Sequence, residues 1–278
     1  MLYKSLQSQV LRFSLQEIQI SFWNLVLGTW FLGLLMFFSI QSQGIASTPT
    51  SLLDSASISY SKGYFQKASE YYEGIISLGY ESPEVYFNLG NAYYKLDKIG
   101  MCVLNYERAK KISPMDEDIN FNLKLANQHT IDKIETTPKL FLEEWWGNLK
   151  NMHSEKTWGI RSIVCFVLFL FFLGIFITSG KLINKQFGFW LGLLFFVFSV
   201  ISFSVSKSRY NDIINKNSAV ILSSSAEIKN SPANTGTKLF ILHEGTKVSA
   251  REINGEWVRI ELSADKVGWV KRSAVEFI

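Results

Sequence analysis

Cysteine and histidine are scarce in this chain of 278 residues. The two cysteines, Cys102 and Cys165, fall in segments of different character, so we expect no disulfide between them and infer no redox compartment from them. The three histidines, His129, His153 and His243, lie far apart and lack metal-ligand spacing. We therefore expect no bound metal and no cofactor.

The chain also lacks the motifs that carry catalysis. It has no Gly-rich phosphate loop, Walker motif or nucleophile elbow. The adjacent carboxylates Glu143 and Glu144 are more typical of a solvated helix face than of an acid–base pair. Charged residues make up only 19% of the chain and the net charge is +4, which gives no argument for nucleic-acid binding. We expect a protein that is not an enzyme and has no catalytic residues.

Hydrophobic residues, in contrast, reach 47% and aromatic residues 15%, which is typical of a membrane protein. The first long apolar segment runs from about Ile20 to Ile40. Lys4 and Arg12 precede it and favour a cytoplasmic N-terminus. Gly44-Ile-Ala46 then offers a small-x-small cleavage site. Residues 1–46 are therefore predicted to be a signal peptide or an uncleaved N-terminal anchor.

Two further uncharged segments, Ser162–Gly180 and Gln186–Ser206, are each long enough to cross a bilayer. Because only five residues separate them, they predict a transmembrane helical hairpin at 161–206. The alternative, a pair of buried core helices, is disfavoured because both runs are apolar on every face. A hairpin returns the chain to the side it left, so regions 47–160 and 207–278 share a compartment. Since the first segment exports the chain after it, we expect both soluble regions outside the cytoplasm, on a bacterial inner membrane.

Residues 51–116 repeat with a period of 34, so that Gly63 aligns with Asp97 and Ala68 with Cys102. The second copy is the clearer one. It reads Tyr86-Phe-Asn-Leu-Gly-Asn-Ala-Tyr-Tyr94, followed by Cys102, Tyr106, Ala109 and Pro114. These residues fall where a tetratricopeptide repeat places its packing positions. Residues 51–135 are therefore predicted to be an all-α domain of tetratricopeptide repeats that ends in a capping helix.

The concave face of such an array usually binds a peptide or a protein. Seven residues are predicted to line it: Tyr60, Phe87, Asn91, Tyr94, Lys95, Phe121 and Gln128. The alternative for the aromatic members is that they only pack against neighbouring helices. Phe87 stands where repeats that clamp C-terminal carboxylates carry Lys, which excludes that ligand class. Residues 51–135 carry 9 basic and 12 acidic side chains, so a strongly acidic partner is not favoured either.

Between the repeats and the hairpin, residues 136–160 are rich in tryptophan, with Trp145, Trp146 and Trp158. Tryptophan is enriched at membrane interfaces. The stretch predicts an amphipathic segment that lies on the bilayer. The alternative is a last helix of the repeat domain.

Residues 217–278 change character and predict five or six short strands. Asn254-Gly255 is a strong hairpin signal, and so many short strands suggest a small closed barrel. The order His243-Glu-Gly-Thr246, Gly255-x-Trp257 and Gly268-Trp269 resembles bacterial SH3 domains, which commonly bind peptides or cell-wall material. Trp257 and Trp269 are therefore candidates for a groove, with the barrel core as the alternative.

The order of parts, together with four motifs, resembles the aerotolerance protein BatE family. The motifs are Tyr86-Phe-Asn-Leu-Gly-Asn-Ala-Tyr-Tyr94, Asn105-Tyr-Glu-Arg-Ala109, Pro114-x-Asp-Glu-Asp-x-x-Phe-Asn-Leu123 and Phe141-Leu-x-x-Trp-Trp146. The resemblance implies partnership with von Willebrand factor A-domain membrane proteins and a MoxR-type ATPase, in tolerance of oxygen or envelope stress. We expect a membrane-anchored scaffold for protein–protein interaction. The alternative is a cell-wall or peptide-binding anchor that acts through the SH3-like domain.

Overall fold

The fold is taken from a computed structural model that describes residues 49–133, 141–215, 217–263 and 266–278. The predicted signal or anchor at 1–46 and the first residues of the predicted juxtamembrane segment lie outside the described residues. The described chain forms one compact unit from Pro49 to Ile278.

The repeat region consists of five helices in the described chain, and their starts obey the predicted period. They are α1 (Pro49–Ser61), α2 (Phe65–Ser77), α3 (Pro83–Lys95), α4 (Ile99–Ile112) and α5 (Glu117–Gln128). The helices α1, α3 and α5 begin 34 residues apart, as do α2 and α4. The helix that the sequence predicts as a cap therefore begins where the first helix of a third repeat would begin.

Local sequence explains where these helices start. The Ser82 side chain accepts a hydrogen bond from the main-chain N–H of Val85, and Pro83 occupies the first turn of α3. Asp116 caps α5 in the same way, accepting from the N–H groups of Asp118 and Ile119 at 3.1 Å. Glu117 and Asp118 in the first turn place negative charge at the positive end of the helix dipole.

The crossing of α3 and α4 depends on one small residue. A Cβ on Gly90 would lie 2.6 Å from the ring of Tyr106, so only glycine permits this approach. Tyr106 is itself buried, with Leu89 and Cys102, in the core of the repeat region. Glycine at position 90 therefore lets the two helices cross closely.

The next three helices are α6 (Phe141–Asn151), α7 (Glu155–Thr178) and α8 (Leu182–Ile214). Two of them, α7 and α8, are long and apolar enough to cross a membrane, judged by length and composition alone. We call this antiparallel pair the hairpin. The predicted five-residue connection is shorter in the structure, because α8 already begins at Leu182.

Small residues hold the hairpin together. Ser162 on α7 and Ser199 on α8 exchange hydrogen bonds, each hydroxyl donating to the other residue's carbonyl, at 3.0 and 2.9 Å. A Cβ on Gly188 would lie 2.9 Å from the main chain of Phe172 and Phe176, so the two helices nearly touch there. The large side chains consequently point outwards, as Phe171 and Trp190 do at 61% and 66% exposure.

The C-terminal region, which we call the β domain, is one antiparallel sheet of seven strands in the described chain. The strands are β1 (Ser218–Ile221), β2 (Ser225–Lys229), β3 (Lys238–His243), β4 (Lys247–Asn254), β5 (Trp257–Ser263), β6 (Lys266–Lys271) and β7 (Val275–Phe277). The order across the sheet is β3-β2-β6-β5-β4-β1-β7, and Asn254 pairs with Trp257 across the predicted hairpin turn. No pairing joins β3 to β7 among the described strands, so the sheet differs from the closed barrel that the strand pattern predicts.

The β domain packs directly on the repeat region. Val220 of β1 and the terminal Ile278 belong to the same buried cluster as Ile99 and Val103 of α4. Arg108 reinforces the contact by donating to the Glu276 carboxylate at 3.0 Å. We call this contact, between α4 with residues 130–132 on one side and the β domain on the other, the junction.

Candidate functional site

The residues predicted to line the repeat groove lie on α1, α3 and α5, and the structure divides them into two groups. Tyr60, Phe87 and Asn91 form the packed group. The ring of Tyr60 lies 5.2 Å from that of Phe65, and the ring of Phe87 lies 5.7 Å from that of Tyr106.

Asn91 is engaged by hydrogen bonds as well as by packing. Its side-chain oxygen accepts from the Tyr106 hydroxyl at 2.6 Å and from the Asn122 amide at 3.1 Å. The amide of Asn91 therefore ties α3 to both α4 and α5. These bonds help to fix the angle between the neighbouring helices.

The second group faces solvent. Phe121 of α5 is 67% exposed, and Gln128 of α5 and Lys95 of α3 are exposed as well. Tyr94 lies between the two groups: its hydroxyl is 3.2 Å from Nε2 of His129, and the two rings meet edge to face. The accessible part of the predicted groove is thus Lys95, Tyr94, Phe121 and Gln128.

The phenol groups behind this face are neutral at physiological pH. Burial, with the nearby Glu81, raises the pKa of Tyr86 to about 12. Burial and a hydrogen bond to Glu73 also raise the pKa of Tyr93 above its usual range. Both side chains are buried, so these shifts describe the core of the repeat region rather than the surface that a ligand would meet.

Family comparison agrees with the helical spacing. A tetratricopeptide-repeat family model matches residues 83–115. These residues cover α3, α4 and the turn after them, which is the copy in which Gly90 meets Tyr106. Tetratricopeptide repeats generally mediate protein–protein interaction, and this is the role that the match supports. No curated protein matches the chain.

The two candidate tryptophans of the β domain differ in exposure. Trp257 is buried at 7% exposure, and the Lys229 ammonium lies 5.7 Å from its ring centre. Trp269 is only half-buried, on β6 opposite Arg259 of β5. The core interpretation therefore describes Trp257 better, and Trp269 is the one with accessible ring surface.

The junction contains a polar cluster that sequence reasoning missed. The Asp132 carboxylate accepts from the main-chain N–H of His243 at 2.6 Å and from the Thr246 hydroxyl at 2.7 Å. Burial acts to raise the pKa of Asp132, but these bonds and the His243 ring outweigh it and hold the pKa below the ordinary value of 3.8. The sequence gives His243 no partner, whereas the structure places it half-buried against Asp132.

A second missed contact lies one strand further on. Lys247 of β4 forms an ion pair of 2.6 Å with Glu107 of α4, and the Glu107 side chain is only 10% exposed. Both residues of this pair look like ordinary surface charges in the sequence. The one sequence signal for this ion pair is that Glu107 occupies the same position of the repeat as Glu73, 34 residues earlier.

Each of the three histidines has a different contact in the structure. His129 contacts Tyr94, His153 contacts Trp158 and His243 contacts Asp132. No group of three or more metal-ligating side chains occurs in the described part of the chain.

Proposed function

We propose that this protein is a membrane-anchored scaffold whose tetratricopeptide repeats bind a partner protein. The observation that carries the proposal is the match of α3 and α4 to the tetratricopeptide repeat, next to an exposed aromatic side chain, Phe121. The accessible part of the groove combines the aromatic rings of Phe121 and Tyr94 with the cationic Lys95, so an extended peptide segment fits it best. We propose no catalytic role for the chain.

The hairpin is proposed as the membrane anchor. Its large apolar side chains face outwards along both helices, as Phe171, Trp190 and Phe203 illustrate at more than 60% exposure. A soluble protein rarely exposes so large a contiguous apolar surface, because leaving it in water is unfavourable. Lipid tails would cover this surface, and the internal pairing of Ser162 with Ser199 would satisfy the polar groups between the helices.

The junction supports a common compartment for both soluble regions. A spanning hairpin returns the chain to the side that it left, and the β domain packs on α4 of the repeat region. Such packing requires residues 49–128 and 217–278 to meet at the same end of the hairpin. We propose that this is the extracytoplasmic side of a bacterial inner membrane, as the apolar segment near the N-terminus predicts.

The finer identity is proposed from the resemblance to the aerotolerance protein BatE family and to bacterial SH3 domains. In this interpretation the partners are von Willebrand factor A-domain membrane proteins linked to a MoxR-type ATPase, and the sheet of the β domain is SH3-like. The order of repeat region, hairpin and β domain supports it.

The test is a mild-detergent pull-down of the tagged, full-length protein from native membranes, read by mass spectrometry. Recovery of A-domain membrane proteins, reduced about tenfold or more by Phe121→Ala, supports the scaffold, since one aromatic anchor contributes about 2 kcal/mol. Tyr64→Ala is the matched control, because Tyr64 is 62% exposed on the turn between α1 and α2. Equal recovery with both variants, or no specific partner, contradicts the proposal.

One observation favours the second candidate function, a cell-wall or peptide anchor. Trp269 keeps accessible ring surface, and an aromatic face of this kind can stack on sugars or on a peptide. Wall fragments recovered in the same pull-down, and lost with Trp269→Ala, would move the function to the β domain. Their retention by Trp269→Ala would exclude Trp269 as the contact.

A further inference from the structure

A polar cavity of about 520 Å³ lies where α4, α6, the end of α8 and the β domain meet. We call it the junction cavity. Its size lies within the range of about 300–1,000 Å³ that is usual for small-molecule sites. Five cationic side chains line it: Lys110, Lys111, Lys150, Arg209 and Lys247. Three carboxylates line it as well: Glu107, Glu143 and Asp212.

Two of these carboxylates form ion pairs with lysines of the same lining. Asp212 forms a 2.6 Å ion pair with Lys150, and Glu107 forms one with Lys247. Lys110 makes no ion pair within the described residues, and it lies half-buried in the wall of the cavity. The lining side chains therefore carry a net positive charge, which favours an anion.

Arg209 is held rigidly in the wall of the cavity. It is 4% exposed, and its Nη2 donates to the carbonyls of Lys111 and Ile112 at 2.6 and 3.1 Å, where α4 ends. Its buried Nε has no acceptor among the described residues. Because Arg209 also lines the cavity, its guanidinium places a fixed positive charge there, which attracts an oxyanion.

The position of the cavity along α8 indicates what kind of anion it meets. The apolar run of α8 ends at Ser206, and Arg209 and Asp212 follow about 5 and 9 Å further along the helix axis. If the hairpin spans a bilayer, which rests on the proposed function, this is the depth of the lipid headgroups. Trp146 of α6, a residue type enriched at that depth, lines the same cavity.

We propose that the junction cavity binds a phosphate-bearing anion, supplied by the headgroup of an anionic phospholipid or by free phosphate. The ammonium of Lys110 and the fixed guanidinium of Arg209 supply the positive charge. Bound there, the anion contacts the repeat region, the hairpin and the β domain at once, and so fixes the soluble regions relative to the anchor.

The experiment uses the purified full-length protein in detergent, with bound ligand counted by native mass spectrometry. Short-chain phosphatidylglycerol, phosphatidylcholine and inorganic phosphate are titrated separately. Lys110→Gln should weaken binding of phosphatidylglycerol about fivefold, because one lysine near an anionic headgroup contributes about 1 kcal/mol. Glu143→Gln should strengthen it, because it removes an exposed negative charge from the lining. Lys124→Gln, at an exposed lysine of α5, is the control and should leave binding unchanged.

The separate titrations distinguish the two sources of the anion, a lipid headgroup and free phosphate. Phosphatidylglycerol that binds saturably and is not displaced by inorganic phosphate assigns the cavity to a lipid headgroup. Inorganic phosphate that binds alone, with the same response to Lys110→Gln and Glu143→Gln, assigns it to a free anion. Wild-type affinity for both ligands in both variants, or no saturable binding, overturns the proposal.

Carbonate extraction of native membranes tests the membrane anchor separately. Loss of the protein from the membrane pellet contradicts the proposed function but leaves the phosphate titration valid.

Discussion

Asp132 and His243 are joined twice across the junction, although 111 residues separate them in the chain. The carboxylate of Asp132 accepts from the main-chain N–H of His243 at 2.6 Å, and its second oxygen lies 3.1 Å from the ring Nδ1. The carboxylate also accepts a hydrogen bond from the Thr246 hydroxyl. We call these three contacts of Asp132, two with His243 and one with Thr246, the clamp. The clamp begins just after α5 and holds the turn between β3 and β4.

Removing the clamp should loosen the junction. Asp132→Ala should lower the free energy of unfolding by about 1.5–3 kcal/mol, because hydrogen bonds to a charged group are lost and buried donors are left unpaired. Thermal unfolding of the full-length protein in detergent measures this. Asp54→Ala, at an exposed position of α1, is the control, and an equal effect in both variants contradicts the role of the clamp.

The same carboxylate predicts how stability depends on pH. The pKa of Asp132 in the folded state lies below the ordinary value of 3.8, so its contribution is fully present above that value and is lost as pH falls through the folded pKa. We expect the difference in unfolding free energy between wild type and Asp132→Ala to shrink as the pH falls below about pH 4. A difference that already shrinks near neutral pH would contradict this assignment.

Gly245, in the turn that the clamp holds, should not tolerate a side chain. Its φ is +81°, and a Cβ there would lie 2.7 Å from Cγ2 of Thr130. Gly245→Ala should therefore cost about 2–4 kcal/mol, from backbone strain and from overlap. Gly255→Ala is the matched control, because Gly255 has a φ of +57° but open space around it, and it should cost only about 1 kcal/mol.

Double substitution separates the two causes at Gly245. Thr130→Ser removes the methyl group that collides and keeps the hydroxyl that donates to Asn127 at 2.9 Å. Combined with Gly245→Ala, it should restore part of the lost unfolding free energy. If the double variant is no more stable than Gly245→Ala alone, overlap with Thr130 is not the cause.

The repeat period predicts a stabilising substitution. Gly63 and Asp97, which are 34 residues apart, both have a positive φ, +80° and +58°. Since glycine adopts this conformation without a Cβ penalty, Asp97→Gly should raise the free energy of unfolding by about 0.5–1 kcal/mol, and Gly63→Asp should lower it by a similar amount. Chemical denaturation of the two variants side by side checks both signs.

Close packing within the hairpin gives another test. Gly188→Ala places a Cβ 2.9 Å from the main chain of α7 and should destabilise the hairpin by about 1–3 kcal/mol. Gly174→Ala, on the facing helix, meets open space and should be neutral or slightly stabilising. Unfolding by SDS in mixed micelles compares the two, and equal stability would exclude contact of the helices at Gly188.

Local patterns were sufficient for much of the fold. The 34-residue period located α1 to α5, and Asn254-Gly255 located the turn between β4 and β5. The sequence predicts five or six strands and the described chain has seven; the shortest of them, β7, has only three residues and gains its order from pairing with β1. The number and length of the strands do not show whether the sheet closes into a barrel, because closure requires the edge strands, here β3 and β7, to pair with each other.

The candidate site was less accessible to sequence reasoning. Periodicity placed Asn91 and Phe121 on the correct helices, but it does not distinguish a residue bonded to its neighbours from an exposed one. Asp132 and Lys247 have no local signature, because their partners lie more than one hundred residues away. A contact of that range is a property of the assembled chain.

The burial of Val220 and Ile278 in the repeat core has a consequence for biosynthesis. Repeat arrays usually fold from local contacts as each unit emerges. Here the outer face of α4 is made early, and it waits for strands that are synthesised only after both helices of the hairpin. We therefore expect the core of the repeat region to be completed only when the β domain has been made, and a chain arrested in the hairpin to expose Ile99 and Val103 to quality-control proteases.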